Sequence, residues 1–405
     1  MLKLLYTFCV ILIAGNICAA DYSNLTIKWD EEKTASKAKF EGYFSKENIS
    51  GYKNDVQTPG DTTVAAALIN GYKFSWQPTW RYEGAGQVWL PEVCQSSDRS
   101  LLALVENSKN GKGVKSSILV LMNLFNSRVI NYIVFNGVDI INFCLVPNNN
   151  KIIALVKSPP DKYSDIRQYK LVLLSHYDGR KTVASKSFMY KVNTMCVANN
   201  GNDLLVAPES ESYAMVYDVT KLNVAPVKVK TQREITAVTA YGKGFIIGGK
   251  SFISKLVKSG NGWNVKNKYN APADFCPAEI VPCGNDKKFA AVQQDGPAYY
   301  YNGSIFTQIG DRFEGTVAWD SFNKRVMLVE KRNSVIMLYN PDSSSKNVLF
   351  TPAKVKPRTR GDVTGLYPAP DGKAIFALDD KGNLMKLTKP CRRWKKQLIF
   401  AAQGK

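Results

Sequence analysis

Short apolar runs alternate with polar turns along most of the chain. From about residue 89 one phrase recurs: a short apolar strand, a turn rich in Asn, Asp, Gly and Lys, and a second, strongly apolar strand. The runs are rich in Val, Ile, Tyr and Phe and lack helical spacing, so each predicts a β-strand. The turn residues supply the positive φ angles that tight hairpins need. The second strands of the seven copies begin at Leu101, Ile152, Leu204, Phe245, Phe289, Val326 and Ala374.

The spacing of the copies predicts the architecture. Successive second strands begin 37 to 52 residues apart, with a mean of about 45, and one four-stranded propeller blade takes about 40–50 residues. We therefore predict an all-β chain that forms a seven-bladed β-propeller with a short N-terminal extension. A pair of packed β-sandwiches is the structural alternative that the repeat leaves open.

Two phrases in the repeat resemble those of the WD40/YVTN-like β-propeller superfamily. They are Pro370-Asp371-Gly372-Lys373 in a turn and Tyr217-Asp218 at the end of a strand. The resemblance covers about residues 89–400 and concerns architecture, because the Gly-His and Trp-Asp dipeptides are largely absent. The one Trp319-Asp320 pair lies in a first hairpin rather than at a blade end. The resemblance implies a ring of radial sheets, a fold that carries both binding modules and enzymes.

The predicted domains follow from how such a ring must close. The last blade starts near Val363 and has only about 42 residues left, so closure needs a strand from the other end of the chain. The apolar segments 73–76 and 79–82 are the candidates for that strand. We predict a signal peptide over 1–20, an N-terminal extension over 21–72 and the propeller over 73–405.

The first 20 residues have the pattern of a secretory signal. Lys3 precedes an apolar run over 4–14, and small residues at 18–20 precede Asp21. An uncleaved membrane anchor and a lipoprotein signal ending at Cys18 are the alternatives. No later stretch approaches 18 consecutive apolar residues, so we predict a mature chain without a transmembrane segment, secreted or periplasmic. Glycan acceptor sequons begin at Asn24, Asn48 and Asn302 and matter only in a eukaryotic host.

Six cysteines remain after removal of the signal. Cys276 and Cys283 are close in sequence, which leaves a disulfide between them possible in an exported chain, although a protein of this size does not need one. Cys94, Cys144 and Cys196 occupy the same point of three successive copies. Our interpretation is that they fill the core as small buried residues. A three-thiolate metal site is the disfavoured alternative, because equivalent positions are spread around a ring.

The charge of the chain predicts an anionic partner. Lys and Arg number 54 against 34 Asp and Glu, a net charge of +20, and such an excess attracts polyanions and acidic surfaces. A basic run at 227–233 alternates Lys with Val, which is typical of an outer edge strand protected against aggregation. The other basic clusters can be interpreted in the same two ways, as charged outer edge strands or as partner-binding sites. The predicted partner-binding residues are Lys354, Lys356, Arg358, Arg360, Arg392, Arg393, Trp394, Lys395 and Lys396.

Catalytic motifs are largely missing from the sequence. It has no phosphate loop, no GxSxG elbow and no HExxH, and the single histidine, His176, excludes multi-histidine metal sites. We interpret His176 as an exposed or edge-packed imidazole and predict no cofactor. Carboxylates near the blade starts nevertheless leave a Ca²⁺ site open, although single acids ahead of a strand are usually turn or cap residues. They are Glu92, Asp139, Glu234, Glu279, Glu314 and Asp362.

These observations predict an exported, monomeric, non-enzymatic binding module. It would engage a protein or a polyanionic ligand through one ring face and its basic edge, and nucleic acid is not expected as the partner of an exported chain. The alternative is a hydrolase or lyase that acts from the central channel with carboxylates and Ca²⁺. Acids converging at a channel mouth would favour the enzyme, whereas Lys, Arg and aromatic side chains there would favour binding.

Overall fold

The structure is a computed structural model that describes a set of segments between residues 68 and 388. These segments are 68–69, 72–80, 87–88, 92–96, 99–109, 115–125, 128–136, 139–147, 149–157, 168–175, 181–260, 262–284, 287–331, 335–350, 363–379 and 384–388. The predicted signal peptide, and the predicted extension as far as residue 67, lie outside the described residues.

The first two described strands pair with each other and belong to the last sheet: β1 (Leu68–Ile69) and β2 (Tyr72–Trp80). The first complete sheet follows them, and its middle strands pair along their whole length. Its strands are β3 (Gln87–Val88), β4 (Glu92–Gln95), β5 (Leu101–Lys109), β6 (Lys115–Asn123) and β7 (Arg128–Asn136).

Three four-stranded antiparallel sheets come next, each built from consecutive strands. The second sheet contains β8 (Asp139–Leu145), β9 (Lys151–Lys157), β10 (Tyr169–Ser175) and β11 (Lys181–Ala184). The third contains β12 (Val192–Val197), β13 (Asp203–Pro208), β14 (Tyr213–Asp218) and β15 (Val227–Lys230), with a 3₁₀ turn at Val219–Lys221. The fourth contains β16 (Ala237–Tyr241), β17 (Gly244–Gly249), β18 (Phe252–Ser259) and β19 (Gly262–Tyr269).

The fifth sheet has six strands and folds back on itself. The rings of Phe289 and Tyr301, at the two ends of one continuous strand, have centroids only 5.0 Å apart. A straight strand of 13 residues would separate them by about 40 Å, so the chain must turn, and it does so at Asp295, whose φ is 55°. The strands are β20 (Pro277–Pro282), β21 (Phe289–Tyr301), β22 (Phe306–Asp320), β23 (Arg325–Glu330), β24 (Val335–Asn340) and β25 (Ser345–Phe350).

The last sheet closes the ring with a strand from the other end of the chain. It contains β26 (Val363–Pro368), β27 (Ala374–Asp379) and β28 (Leu384–Thr388). β2 pairs antiparallel with β28, with Lys73 opposite Thr388 and Phe74 opposite Leu387. The prediction that segments 73–76 and 79–82 supply the closing strand is therefore confirmed over 73–80.

Apolar side chains pack between neighbouring sheets all the way round. Most clusters join one sheet to the next, and a cluster that includes Leu102, Leu104, Ala374 and Phe376 joins the last sheet to the first. Another, around Phe313 and its neighbours, lies within the folded six-stranded sheet. Burial of this apolar area stabilises the fold by about 25 cal/mol per Å². The predicted propeller architecture is confirmed.

The predicted count of seven blades is wrong for the hydrogen-bonded sheets. The described strands form six sheets, five of which have the four or five strands of a single blade. The physical reason lies in β22, which has 15 residues and pairs with β21 near its start and with β23 near its end. Two runs that the repeat predicts as separate blades are thereby joined into one ladder.

Candidate functional site: two ring faces and the central channel

Each blade begins with its innermost strand, which is β4 in the first sheet. These inner strands all run in the same direction along the axis of the ring. Near their starts, Asn193 Nδ2 donates to Ile235 O at 2.7 Å. Near their ends, Asn199 Nδ2 donates to Gly242 O at 3.4 Å. Neighbouring inner strands are therefore parallel, with all their starts at one face of the ring and all their ends at the other. The hairpins between first and second strands and between third and fourth strands consequently share one face, which we call the turn face. The second–third hairpins and the connections between sheets share the opposite one, the connection face.

Glu279 is a carboxylate of the channel wall. It lies on inner strand β20, where its side chain is open to solvent although the ring encloses it deeply. Its Oε2 accepts a hydrogen bond from Val317 N at 2.9 Å, across to the next inner strand segment. Burial raises the pKa of Glu279 to about 7, against the lowering effect of the bonds from Val317 and the Thr316 hydroxyl. This carboxyl group can exchange a proton near neutral pH.

Gln95 and Arg99 tie the first sheet to its neighbours at the turn face. Gln95 Nε2 donates to Pro368 O of the last sheet at 2.7 Å. Arg99 Nη1 donates to Trp319 O of the six-stranded sheet, which lies farther round the ring. Burial lowers the pKa of the Arg99 guanidinium, while the charge of Asp320 opposes this shift. Two side chains of one inner hairpin therefore connect three sheets where the turn face meets the channel.

Three thiols lie on three successive inner strands, as the repeat predicts. The Cys144 thiol donates to Met195 O at 3.4 Å, which links the second sheet to the third. Burial raises the pKa of Cys94 and of Cys144. It raises the pKa of Cys196 to about 12. Neutral thiols are poor metal ligands. The side chain of Cys144 is buried, and those of Cys94 and Cys196 are half-buried. The arrangement favours the interpretation of these cysteines as packing residues.

The possible disulfide between Cys276 and Cys283 is not present in the structure. Both thiols are free. The two residues flank the extended strand β20 at opposite ends, so their Cα atoms are about 23 Å apart at about 3.3 Å per residue. A disulfide needs Cα atoms within about 7 Å. Thr236 Oγ1 lies 3.6 Å from the Cys276 sulfur, and Cys283 is buried in the core of the six-stranded sheet.

The carboxylates considered for Ca²⁺ do not converge where they are described. Glu234 accepts from Ser210 N at 2.8 Å and from Asn193 Nδ2 at 3.4 Å, so it joins the third sheet to the fourth. Glu279 lies on the channel wall, and Glu314 is half-buried at the connection face. Among the described residues, no three His, Cys, Asp or Glu side chains form a metal-binding group. The side chains of Glu92, Asp139 and Asp362, and all of His176, lie outside the described residues.

The predicted partner-binding residues also lie outside the part of the chain that the structure describes. This holds for the cluster at Lys354, Lys356, Arg358 and Arg360 and for the cluster Arg392, Arg393, Trp394, Lys395 and Lys396. The third basic run is described. Its strand β15 is the outermost of its sheet, with exposed Lys228 and Lys230 on either side of buried Val229. For this run the interpretation as a charged outer edge strand is confirmed.

The two faces of the ring differ in charge. Among the described residues, the exposed charges of the connection face are mixed: Lys186, Lys191, Arg233, Lys250, Arg312 and Lys331 against Glu209, Glu211, Asp274, Asp295 and Asp311. Those of the turn face are mainly positive: Lys221, Lys243, Lys258, Lys287, Lys324, Lys346 and Lys373 against Asp218 and Asp342. The positive potential of the described chain is therefore concentrated on the turn face.

Exposed apolar side chains are concentrated on the same face. Phe125, Val224, Ile305 and Phe322 have 53%, 56%, 62% and 61% of their surface exposed, and all lie in turn-face hairpins. Val227, at the start of β15, is near that face as well, whereas Met189 belongs to the connection face. The turn face thus carries exposed apolar side chains as well as exposed lysines.

The turn face was not predicted from the sequence, although the signal was present. Each predicted hairpin could have been assigned to one of two faces by counting strands from the start of its repeat. Phe322 and Ile305 would then have stood out, because turns are otherwise polar. Arg99 carried no such signal, since its contact with Trp319 O joins residues distant in sequence.

Comparisons with known proteins support the fold. No family model and no curated protein sequence matches the chain. A chain from the crystal structure of the Mitotic Checkpoint Complex is similar in structure, with a TM-score of 0.54 and 11% identity over 76% of this chain and 93% of that one. The β-propeller domain of Myceliophteria thermophila Cps50 (Swd1) gives a TM-score of 0.52 and 11% identity over 81% and 100%. At these identities the similarity shows the fold alone.

The described residues contain no helix long and apolar enough to cross a membrane.

Proposed function

We propose that this chain, whose architecture is that of a WD40-like β-propeller, is an exported, monomeric, non-enzymatic binding module that engages an anionic macromolecular partner through its turn face. The observation that carries the proposal is the charge difference between the two faces. Seven exposed lysines against two exposed carboxylates give the described turn face a positive potential, whereas the connection face is nearly balanced. A surface of one sign raises the association rate with partners of opposite sign and selects against others.

The ring is suited to binding because it is rigid at the level of its inner strands. Thr236 Oγ1 donates to Pro277 O at 2.6 Å, one of several bonds that hold neighbouring inner strands together. Turns projecting from such a scaffold keep their positions, which lowers the entropy cost of association. The chain from the Mitotic Checkpoint Complex is a precedent for a propeller within a macromolecular assembly.

We also propose that the ring corresponds to seven blades, with the six-stranded sheet counting as two. The support is the fold-back of β21 at Asp295 and the apolar cluster around Phe313 within that sheet. Such a cluster has the position of the cores between other neighbouring sheets. The strand β22 would then serve as the outer strand of one blade and the inner strand of the next.

The channel offers less support for an enzyme. Glu279 is held by hydrogen bonds from Val317 and Thr316 of the neighbouring inner strand segment, a structural use of the carboxyl group. The basic residues at 354–360 and 392–396 lie outside the described residues, and their part in partner binding stays a prediction.

Retention on heparin tests the proposed function, with heparin as the polyanionic probe. The double variant Lys287→Glu/Lys324→Glu reverses two exposed charges of the turn face. The matched control, Lys186→Glu/Lys250→Glu, makes the same change in net charge on the connection face. We expect the turn-face variant to elute at clearly lower salt than the control, since contacts between exposed charges are screened locally. Equal elution of the two variants would refute an anion-binding turn face.

A further inference from the structure

The exposed apolar residues of the turn face are held by rigid turns. Asn302 Oδ1 accepts from Ser304 N at 2.9 Å and from Ile305 N at 3.0 Å, which fixes the hairpin that presents Ile305. Asn123 Oδ1 accepts from Phe125 N at 2.8 Å in the same way. These side chains therefore project from turns whose conformation is set before any partner arrives.

Lysines accompany the apolar residues of this face. Lys221 is in the same loop as Val224, and Lys324 is in the same turn as Phe322. The Ile305 hairpin lies against the neighbouring turn, because a Cβ at Gly303 would be 3.6 Å from Lys287 Cβ. Each of these three apolar residues is thus combined with an exposed ammonium group in its own turn or in the turn beside it.

The apolar residues are spread around the ring rather than gathered in one patch. Phe125 belongs to the first sheet, Val224 to the third, and Ile305 and Phe322 to the six-stranded sheet. A protein partner recognises a contiguous apolar patch surrounded by a polar rim, which this pattern does not provide. A lipid bilayer offers an apolar layer at one depth beneath a plane of phosphates, so separate residues at one end of the ring can all reach it.

From this arrangement we infer that the turn face docks on the anionic phospholipid surface of a membrane, which rests on the proposed function and names its partner. Phe125, Val224, Ile305 and Phe322 enter the boundary between headgroups and acyl chains. Lys221, Lys287 and Lys324 extend their ammonium groups toward the phosphates, as long basic side chains do at membrane surfaces. Each basic residue near an anionic surface strengthens binding by about fivefold.

Cosedimentation of the purified mature protein with vesicles tests this inference. One set of vesicles is phosphatidylcholine alone, and the other contains about 30% phosphatidylserine to supply negative surface charge. We expect binding to the phosphatidylserine vesicles, weakened by salt, and little binding to phosphatidylcholine alone. Phe322→Ser and Ile305→Ser should each weaken binding on the order of tenfold through lost apolar burial. Met189→Ser, on the connection face, is the matched control and should leave binding unchanged.

The outcomes separate this inference from the proposed function. If Lys287→Glu/Lys324→Glu lowers heparin retention while the unmodified protein ignores both kinds of vesicle, the anionic partner is not a lipid and only the lipid inference is overturned. Binding to phosphatidylserine vesicles that Met189→Ser weakens as much as Phe322→Ser overturns the assignment to the turn face. Far-ultraviolet circular dichroism verifies that each variant is folded, and Ile305→Ser provides an independent result if Phe322→Ser is not.

Discussion

Among the described residues, Asp320 is a charged side chain whose removal should strongly destabilise the fold. It ends the inner segment of β22, and its side chain is 1% exposed. Its carboxylate accepts from Asn323 N at 3.0 Å, from Asn323 Nδ2 at 2.7 Å and from Arg325 Nη2 at 3.2 Å. Asp320→Ala removes both oxygens that accept these three hydrogen bonds and leaves the Arg325 guanidinium, 17% exposed, without this partner. Breaking a buried ion pair from one side typically costs about 3–5 kcal/mol.

Urea unfolding followed by tryptophan fluorescence measures this cost. The matched control is Lys191→Met, which breaks the pair of Lys191 Nζ with Glu209 Oε2 at 3.3 Å. Because these two side chains are 69% and 45% exposed, we expect a loss of under about 1 kcal/mol there. The double variant Asp320→Ala/Arg325→Met should recover part of the loss, since the charge of Arg325 is removed together with its carboxylate partner. Equal losses for Asp320→Ala and Lys191→Met, or no recovery in the double variant, would refute the reasoning.

Three further predictions concern the channel, the turn face and the thiols. The raised pKa of Glu279 means that its contribution to stability is present below about pH 4.5 and is lost as the pH rises through about 7. The free energy of unfolding of Glu279→Gln should therefore rise relative to that of the unmodified protein across this range. The rise is at most about 1.4 kcal/mol per pH unit before solvent screening reduces it. Unfolding midpoints measured from pH 4 to 8 test this, and a constant difference between the two proteins would contradict it. Gly372 has φ of 64° and a Cβ there would overlap the Phe322 ring, whereas Gly260 has φ of 58° and open space; Gly260→Ala should cost about 1 kcal/mol, and thermal unfolding should show a loss for Gly372→Ala that is larger by about 1–3 kcal/mol. Cys276 and Cys283 should both take up iodoacetamide in denaturant without prior reduction, and a mass lower by two protons at this pair would show that they are bonded.

The positions of the strands could be predicted from the sequence, because each repeat shows its order of apolar runs and polar turns within a short stretch of chain. The predicted second strands at Leu101, Phe289 and Ala374 begin at those residues in the structure. The closing strand was also predictable, since a ring must satisfy its last edge. The sheet count was not, because the fusion depends on β22 continuing from one pairing partner to the next. Nothing in a local pattern shows whether a strand ends between two such partners.

The candidate site was less predictable for a related reason. Sequence runs such as 354–360 draw attention because their charges are contiguous, whereas the lysines of the turn face come from separate turns. Lys221, Lys287 and Lys324 share a face only because alternate hairpins point the same way. The closeness of Cys276 and Cys283 in sequence does not bring them together in space, because an extended strand lies between them.

The pairing of β2 with β28 places Lys73 beside Thr388, so a strand made early in synthesis pairs with one that is made late. The strand Tyr72–Trp80 is made early, and its partner Leu384–Thr388 is made about 300 residues later. At about 5–20 residues per second, the early strand waits roughly 15–60 s for its partner. During that interval it is an unpaired edge, able to join the last sheet of another copy. Domain-swapped chains are therefore the expected misassembly product at high expression, and slow synthesis or a chaperone that covers residues 72–80 should suppress them.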